Sequence, residues 1–294
     1  MERTAPLIHD MLRPNKKFPS VWCPGCGNGI VLGCLLRAIK AQGIDHNKVA
    51  LVSGIGCSGR MPVYADFNTL HTTHGRALAF ATGLKLARPD LHVIVIMGDG
   101  DSLAIGGNHF IHTCRRNLSM TAIVVNNKIY GMTGGQCSPT TPVDSVATTA
   151  TYGNIDQPFD ISHLAAVAGA AFVGRSTVFH VRELENIISQ GLNKKGFALI
   201  EAISNCHTYF GRMNRIGQAP DMLKWMKDNT APVLMDPEKR KDKVTRGVFV
   251  DKETIGFLQH YEQLVEKAIK NKELLKQWKQ KREHKDDEAE EQAG

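Results

Sequence analysis

HVIVIMGDGD, residues 92–101, followed by TAIVVNN, residues 121–127, is the stretch that decides the fold. Each is a short run of β-branched and apolar residues that ends abruptly in glycine, carboxylate or amide. The gap between them fits one helix, so the pair reads as two parallel strands joined by a crossover. The same alternation extends outward. KVALVSGIG (48–56) and RALAFATGLKLA (76–87) precede it, and DISHLAAVAG (160–169), AAFVG (170–174), VRELENIISQGL (181–192) and FALIEAIS (197–204) follow. The expectation is an α/β fold with a mostly parallel sheet and helices on both faces, reached through right-handed crossovers. Ligands of open sheets bind beyond the carboxyl ends of the strands. Segments 54–60, 98–101, 126–133 and 205–207 are therefore where chemistry is expected.

Composition limits the choices. The 294 residues, 42% hydrophobic and 22% charged, suffice for a full core. The most apolar run, 92–97, is far too short to span a bilayer, so no membrane association and a cytoplasmic location are expected. Seven cysteines without a secretion signal argue against a disulfide framework and leave metal ligation or plain buried thiols. The net charge of +7 comes with no nucleic-acid-binding module, and a basic surface suits small acidic redox proteins equally well. Three regions are predicted: an N-terminal extension over 1–18, an α/β domain over 19–213 and a C-terminal extension over 214–294. In the last, residues 231–250 read as a Pro- and charge-rich connector. It continues as an amphipathic helix with Phe257, Leu258, Tyr261, Leu264, Val265, Ala268 and Ile269 on one stripe, and ends in a charged, disordered tail over 279–294.

At the strand ends, Asp99 and Asn127 offer a carboxylate and an amide oxygen side by side, a hard-oxygen site suited to Mg²⁺. Gly98 and Gly100 let backbone N–H groups approach a diphosphate; a tight strand-to-loop turn is the plain alternative. Asp101 either orients the metal site or caps the next helix. Cys23 and Cys26 form a C-P-G-C turn, while Cys57 and Cys206 each follow a predicted strand. Four thiolates hold either a tetrahedral zinc or a cubane iron–sulfur cluster, and spacing leaves both open. Cys34 and Cys114 fall on helices, as small buried thiols do; Cys137 sits in a loop nearer the chemistry. Arg60 can pair with a carboxylate through two hydrogen bonds, or serve as an interface or cluster-tuning charge. His71, His109 and His112 read as caps or packing residues.

GDG followed one βα unit later by NN resembles the diphosphate–magnesium motif of thiamine-diphosphate enzymes. That resemblance implies Mg²⁺ held by Asp99, Asn127 and the backbone carbonyl of Ile129. Gly131, Met132 and Thr133 would lie along the diphosphate, with Ile55, Gly56, Ser58, His74, Gly98, Gly100, Asp101 and Asn126 also around the cofactor. W-C-P-G-C-G, G-I-G-C-S-G and S-N-C-H, together with that motif, resemble the cofactor (beta) subunit of 2-oxoacid:ferredoxin oxidoreductases over residues 19–213. The family implies a [4Fe-4S] cluster on Cys23, Cys26, Cys57 and Cys206. Its reaction is oxidative decarboxylation of a 2-oxo acid with coenzyme A to acyl-CoA and CO₂, electrons leaving to ferredoxin; it can also run in reverse. T-x-H-G-R-A resembles the family's cofactor-lining segment and singles out His74. A basic residue at Arg60 resembles the members that use 2-oxoglutarate; pyruvate or another 2-oxo acid is the alternative substrate, and a zinc-stabilised assembly module is the reading from another class. Only the diphosphate-binding domain type is visible, so the activating glutamate is expected from an alpha, or fused gamma-alpha, subunit. The chain alone should be inactive, and a dimer of heterodimers is expected.

Overall fold

Alternate residues of the central strands point to opposite sheet faces, and both sets are apolar. One set, including Leu51, Ile94, Ile96, Ile123 and Ile200, packs in a core with Val31, Leu35, Ile39, Leu184 and Ile188. The other, including Val52, Val93, Val95, Val124 and Leu199, packs with Leu78, Ala81, Phe110 and Ala165. Continuous apolar runs covered on both sides are what a parallel sheet requires.

The computed structural model describes residues 8–14 and 19–291. Its strands are β1 (Val49–Ser53), β2 (Asn68–His71), β3 (His92–Gly98), β4 (Thr121–Asn126), β5 (Ile129–Tyr130), β6 (Gln136–Cys137), β7 (Phe172–Thr177), β8 (Ala198–Ile203), β9 (Thr230–Pro232) and β10 (Val244–Asp251). Its helices are α1 (Asn28–Ala41), α2 (Met61–Tyr64), α3 (Ala77–Ala87), α4 (Asp99–Leu103), α5 (Gly107–Arg116), α6 (Ile161–Val167), α7 (Val181–Leu192), α8 (Ala219–Asp228) and α9 (Phe257–Glu291). The main sheet has the order β2-β1-β3-β4-β8-β7-β10-β9, parallel except where β10 runs against β7. β5 and β6 pair separately as a short antiparallel ribbon. From β1 the chain moves outward to β2 and then returns to β3 on the other side of β1. The carboxyl ends of β1 and β3 thus border a topological switch point, where the connections diverge and leave a crevice.

Two expectations for the C-terminal extension need correction. The stretch read as a connector contains β9 and β10, and β10 pairs with β7 through Gly247, Val248, Val250 and Asp251. Its Val/Phe alternation carries the strand signal, which the preceding Pro- and Lys-rich residues obscure. The tail read as disordered is helical in its backbone through Glu291, as the end of α9. Lys, Glu, Gln and Ala are strong helix formers, so a composition that cannot build a core can still propagate a helix; residues 292–294 lie outside the described residues. On the apolar stripe, Phe257 packs against the core and stacks on Tyr261, whereas Tyr261, Leu264 and Ile269 are exposed. Of the N-terminal extension, 1–7 and 15–18 lie outside the described residues. Within 8–14, Met11 enters the core and Arg13 donates to the Ala65 carbonyl.

Behind the strand ends lies a buried polar group. Arg175 Nε donates to Glu201 Oε2 at 2.7 Å, and both side chains are almost fully enclosed. Ser162 Oγ donates to the same oxygen at 2.6 Å, and Asp160 takes the far end of the guanidinium. Removing one partner strands the other charge, so Arg175→Leu is expected to lower stability by roughly 3–5 kcal/mol. Urea unfolding of the variant beside the parent checks this; a change within error would contradict it.

Candidate cofactor and cluster site

The crevice at the switch point is lined by Ile55, Gly56, Cys57 and Ser58 after β1, and by Gly98, Asp99, Gly100 and Asp101 at the end of β3 and start of α4. His74 closes one side, and Asn127, Ile129, Tyr130, Gly131, Met132 and Thr133 after β4 close the other. Loops distant in sequence meet here because β1, β3 and β4 are adjacent in the sheet.

Asp99 is 3% exposed, and its Oδ2 accepts hydrogen bonds from Ser138 Oγ and Thr140 Oγ1, each at 2.6 Å. Burial pushes its carboxyl above the usual carboxylate range, while the two hydroxyls oppose the shift. Asn127 Oδ1 accepts from the backbone N–H of Ile129 at 3.2 Å, a tight turn that fixes the loop carrying the Ile129 carbonyl. Asp101 joins the loops after β1 and β2 to the start of α4. Its Oδ1 accepts from His74 Nδ1, from the backbone N–H of Gly75 at 2.7 Å and from that of Ile55 at 3.3 Å, tying two loops together. Its Oδ2 is buried and has no partner among the described residues. A Cβ at Gly54 would lie 1.9 Å from that oxygen, so only glycine fits there. Gly98 opens toward the crevice, whereas Gly100 serves a different need: a Cβ there would lie 2.2 Å from the Tyr130 ring.

Two predicted positions fall elsewhere. Asn126 points away from the crevice because successive strand residues face opposite sides. Its Nδ2 donates to Glu201 Oε1 at 2.8 Å and its Oδ1 accepts from Thr140 at 3.0 Å, so it braces the Asp99 partners from behind. Arg60 is exposed and outside the crevice wall. His71 bonds Ser53 Oγ at 2.9 Å, and His109 accepts from Arg76 at 2.8 Å.

A second, smaller cavity adjoins the first and shares Cys57, Asn127 and Gly131 with it. Cys23, Cys26, Cys57 and Cys206 all line it. The C-P-G-C turn closes with Cys26 N–H donating to the Cys23 carbonyl at 2.9 Å, and Gly25 takes the positive φ of +86° that such a turn demands. Trp22 Nε1 donates to the Cys57 carbonyl at 2.7 Å, and Asn205 Nδ2 to the Gly25 carbonyl at 2.9 Å, pinning this turn to the other two cysteine loops. After Cys206 the chain makes a π-helical turn, His207–Gly211. Burial pushes the Cys57 thiol up to about 11, and the neighbouring cysteines add to the shift, as thiolates crowded round one cavity must. A Cβ on Gly131 would come within 3.4 Å of Cys206 Sγ and 3.7 Å of Cys57 Sγ. Among the described residues, no three His, Cys, Asp or Glu side chains converge on a single-ion position. The other cysteines lie apart: Cys34 and Cys114 are in the two cores, their thiols pushed up to about 11 and about 12 by burial, and Cys137 is on β6.

Ser138, Thr140 and Glu201 were not anticipated from sequence; Trp22 and Asn205 lay within the cysteine motifs, but their hydrogen-bonding roles were not read there. The hydroxyl-rich CSPTT segment, residues 137–141, was the one available signal for the Asp99 partners. Its pairing with a residue some forty positions earlier depends on the fold.

A crevice of glycine turns with a buried acid and an adjacent amide lies at the switch point, and residues 54–202 match the family model for the C-terminal TPP-binding domain of thiamine pyrophosphate enzymes. The chain belongs to the KorB-type beta subunits of the 2-oxoacid:ferredoxin oxidoreductases. It is 52% identical over 239 residues to the 2-oxoglutarate synthase subunit KorB of Methanothermobacter marburgensis, covering 80% of this chain and 84% of the relative. The KorB subunit of Archaeoglobus fulgidus is 53% identical over 220 residues, 75% of this chain and 80% of its own. Among solved structures, the 2-oxoglutarate:ferredoxin oxidoreductase from Magnetococcus marinus, with 2-oxoglutarate, coenzyme A and succinyl-CoA bound, superposes with a TM-score of 0.81 at 33% identity, covering 91% of this chain and 92% of that one.

Proposed function

We propose that this chain, joined by an alpha subunit, holds thiamine diphosphate, Mg²⁺ and a [4Fe-4S] cluster in a cytoplasmic enzyme. The complex converts 2-oxoglutarate and coenzyme A to succinyl-CoA and CO₂ and passes the electrons to ferredoxin. The observation that carries this reading is the shared wall: Cys57, Asn127 and Gly131 border both the crevice and the four-cysteine cavity. Groups held in the two cavities would be separated only by that wall, short enough for electron transfer between them.

The residues present fit both groups. In the crevice, the buried Asp99, the Asn127 loop and the unpartnered Asp101 Oδ2 suit a hard cation and its phosphate ligand. Asp99, Asn127 and the Ile129 carbonyl would hold Mg²⁺, with Gly98 and Gly131–Thr133 beside the diphosphate. In the other cavity, burial raises the thiol pKa values of Cys26, Cys57 and Cys206, and the neighbouring cysteines add to it, so a bound positive charge would favour their thiolates; four thiols round one space suit an iron–sulfur cluster. When bound, thiamine diphosphate supplies an electron sink for loss of CO₂, and the cluster a one-electron acceptor. The chain's own residues position and insulate: Asp101 holds His74 at the crevice edge, and Tyr130 walls it with its hydroxyl on the Gly100 carbonyl at 3.2 Å. The partner's domain would complete the crevice, and no described helix is long and apolar enough to cross a membrane. A dimer of such heterodimers is the assembly proposed.

Reconstitution with the alpha subunit and assay of ferredoxin reduction by 2-oxoglutarate, with and without coenzyme A, tests the function; no 2-oxoglutarate-dependent reduction would refute it. Removing both hydroxyls, Ser138→Ala with Thr140→Ala, should weaken Mg²⁺-dependent cofactor binding about 10- to 100-fold while Asp99 remains. Calorimetric titration of the apo complex measures that loss. Arg60, exposed on the loop after β1, is proposed to meet the distal carboxylate of 2-oxoglutarate. Arg60→Leu should then cut kcat/KM for 2-oxoglutarate by about tenfold or more, roughly 1.4 kcal/mol, and spare any pyruvate turnover. Equal losses on both substrates would assign Arg60 to an interface instead.

A further inference from the structure

Buried thiolates are poor places for the extra electron a cluster accepts, unless N–H groups share the negative charge. The cysteine cavity distributes such donors unevenly. Backbone N–H groups of Tyr209 and Phe210, presented by the π-helical turn, face the Cys206 thiol, and that of Asn28 faces Cys26. One side chain joins them: Asn28, the first residue of α1, places its Nδ2 3.3 Å from Cys26 Sγ. Asn28 is 1% exposed, and its Oδ1 is buried with no partner. A buried amide with one end unsatisfied costs free energy, so its other end has to compensate. The contact to sulfur is the one bond its side chain makes among the described residues.

We infer that Asn28 is a positioning residue for electron transfer, whose amide N–H to Cys26 Sγ raises the reduction potential of the cluster. The inference rests on the cluster reading above and goes beyond it. Drawing charge from the thiolate favours the reduced cluster, in which that charge is greater. The amide contributes no ligand, so its removal leaves the four thiolates intact.

The test is an EPR-monitored redox titration of the enzyme complex carrying Asn28→Ala or Asn28→Asp. Asn28→Ala should keep the cluster's visible absorption and move its midpoint to a more negative potential. At the parent midpoint, the ratio of reduced to oxidised cluster should fall about tenfold, equivalent to about 59 mV for a one-electron couple. Asn28→Asp, of nearly equal size, removes the donor and adds charge, and should move the midpoint further in the same direction. An unchanged or more positive midpoint in Asn28→Ala with the cluster intact would overturn the inference. So would loss of the cluster from both variants, which would make Asn28 an assembly residue. Parent complex without iron would instead fail the cluster reading itself.

Discussion

Asp99→Ala should abolish Mg²⁺-dependent binding of thiamine diphosphate and leave the absorption of the cluster in place. The change removes an anionic oxygen from a cation that demands near-octahedral geometry, and it takes the shared acceptor from the Ser138 and Thr140 hydroxyls. Losing a hydrogen-bonding neighbour of a metal ligand costs about 10- to 100-fold in affinity; losing the ligand itself should exceed this. Equilibrium dialysis of the apo complex against cofactor and Mg²⁺ reads the loss directly. Affinity within a few-fold of the parent would remove Asp99 from the metal site. Asn127→Ala should behave alike, for a second reason: its Oδ1 also fixes the turn that carries Ile129.

Cys206→Ser should cost the cluster, while Cys137→Ser should not. Cys206 lines the same cavity as Cys23, Cys26 and Cys57, whereas Cys137 pairs with Ile129 in the β5–β6 ribbon. Iron and sulfide analysis of the two purified variants decides between them. Iron lost from Cys137→Ser and retained in Cys206→Ser would overturn the ligand set.

Much of this was legible because the informative residues are local. The GDGD and NN segments end strands whose apolar runs announce themselves, and parallel neighbours necessarily bring their carboxyl ends together. The four cysteines each lie on a turn or just beyond a strand, but it was the family resemblance that singled them out together; the structure lines one cavity with them. What sequence hid is long-range. Nothing in CSPTT says that its hydroxyls reach Asp99, and nothing at Glu201 or Arg175 says that two charges inside apolar strands pair with each other and brace Asn126. Asn126 itself shows the limit of motif reading: adjacent residues of one motif face opposite ways, one toward the crevice and one into the core. The strands β9 and β10 were obscured by charge-rich flanks, and the helical end of α9 by a composition shared between solvated helices and disordered tails.

Cys57, Asn127 and Gly131 form a wall common to the crevice and the four-cysteine cavity, and the proposal places one cofactor on each side of it. That placement is tested most directly by freezing the reconstituted complex shortly after adding 2-oxoglutarate, with no ferredoxin present, and recording its EPR spectrum. A reduced [4Fe-4S] signal should appear with 2-oxoglutarate and be absent both without it and in Asp99→Ala. Decarboxylation with the cluster remaining oxidised, or a colourless complex holding zinc in place of iron, would contradict the account.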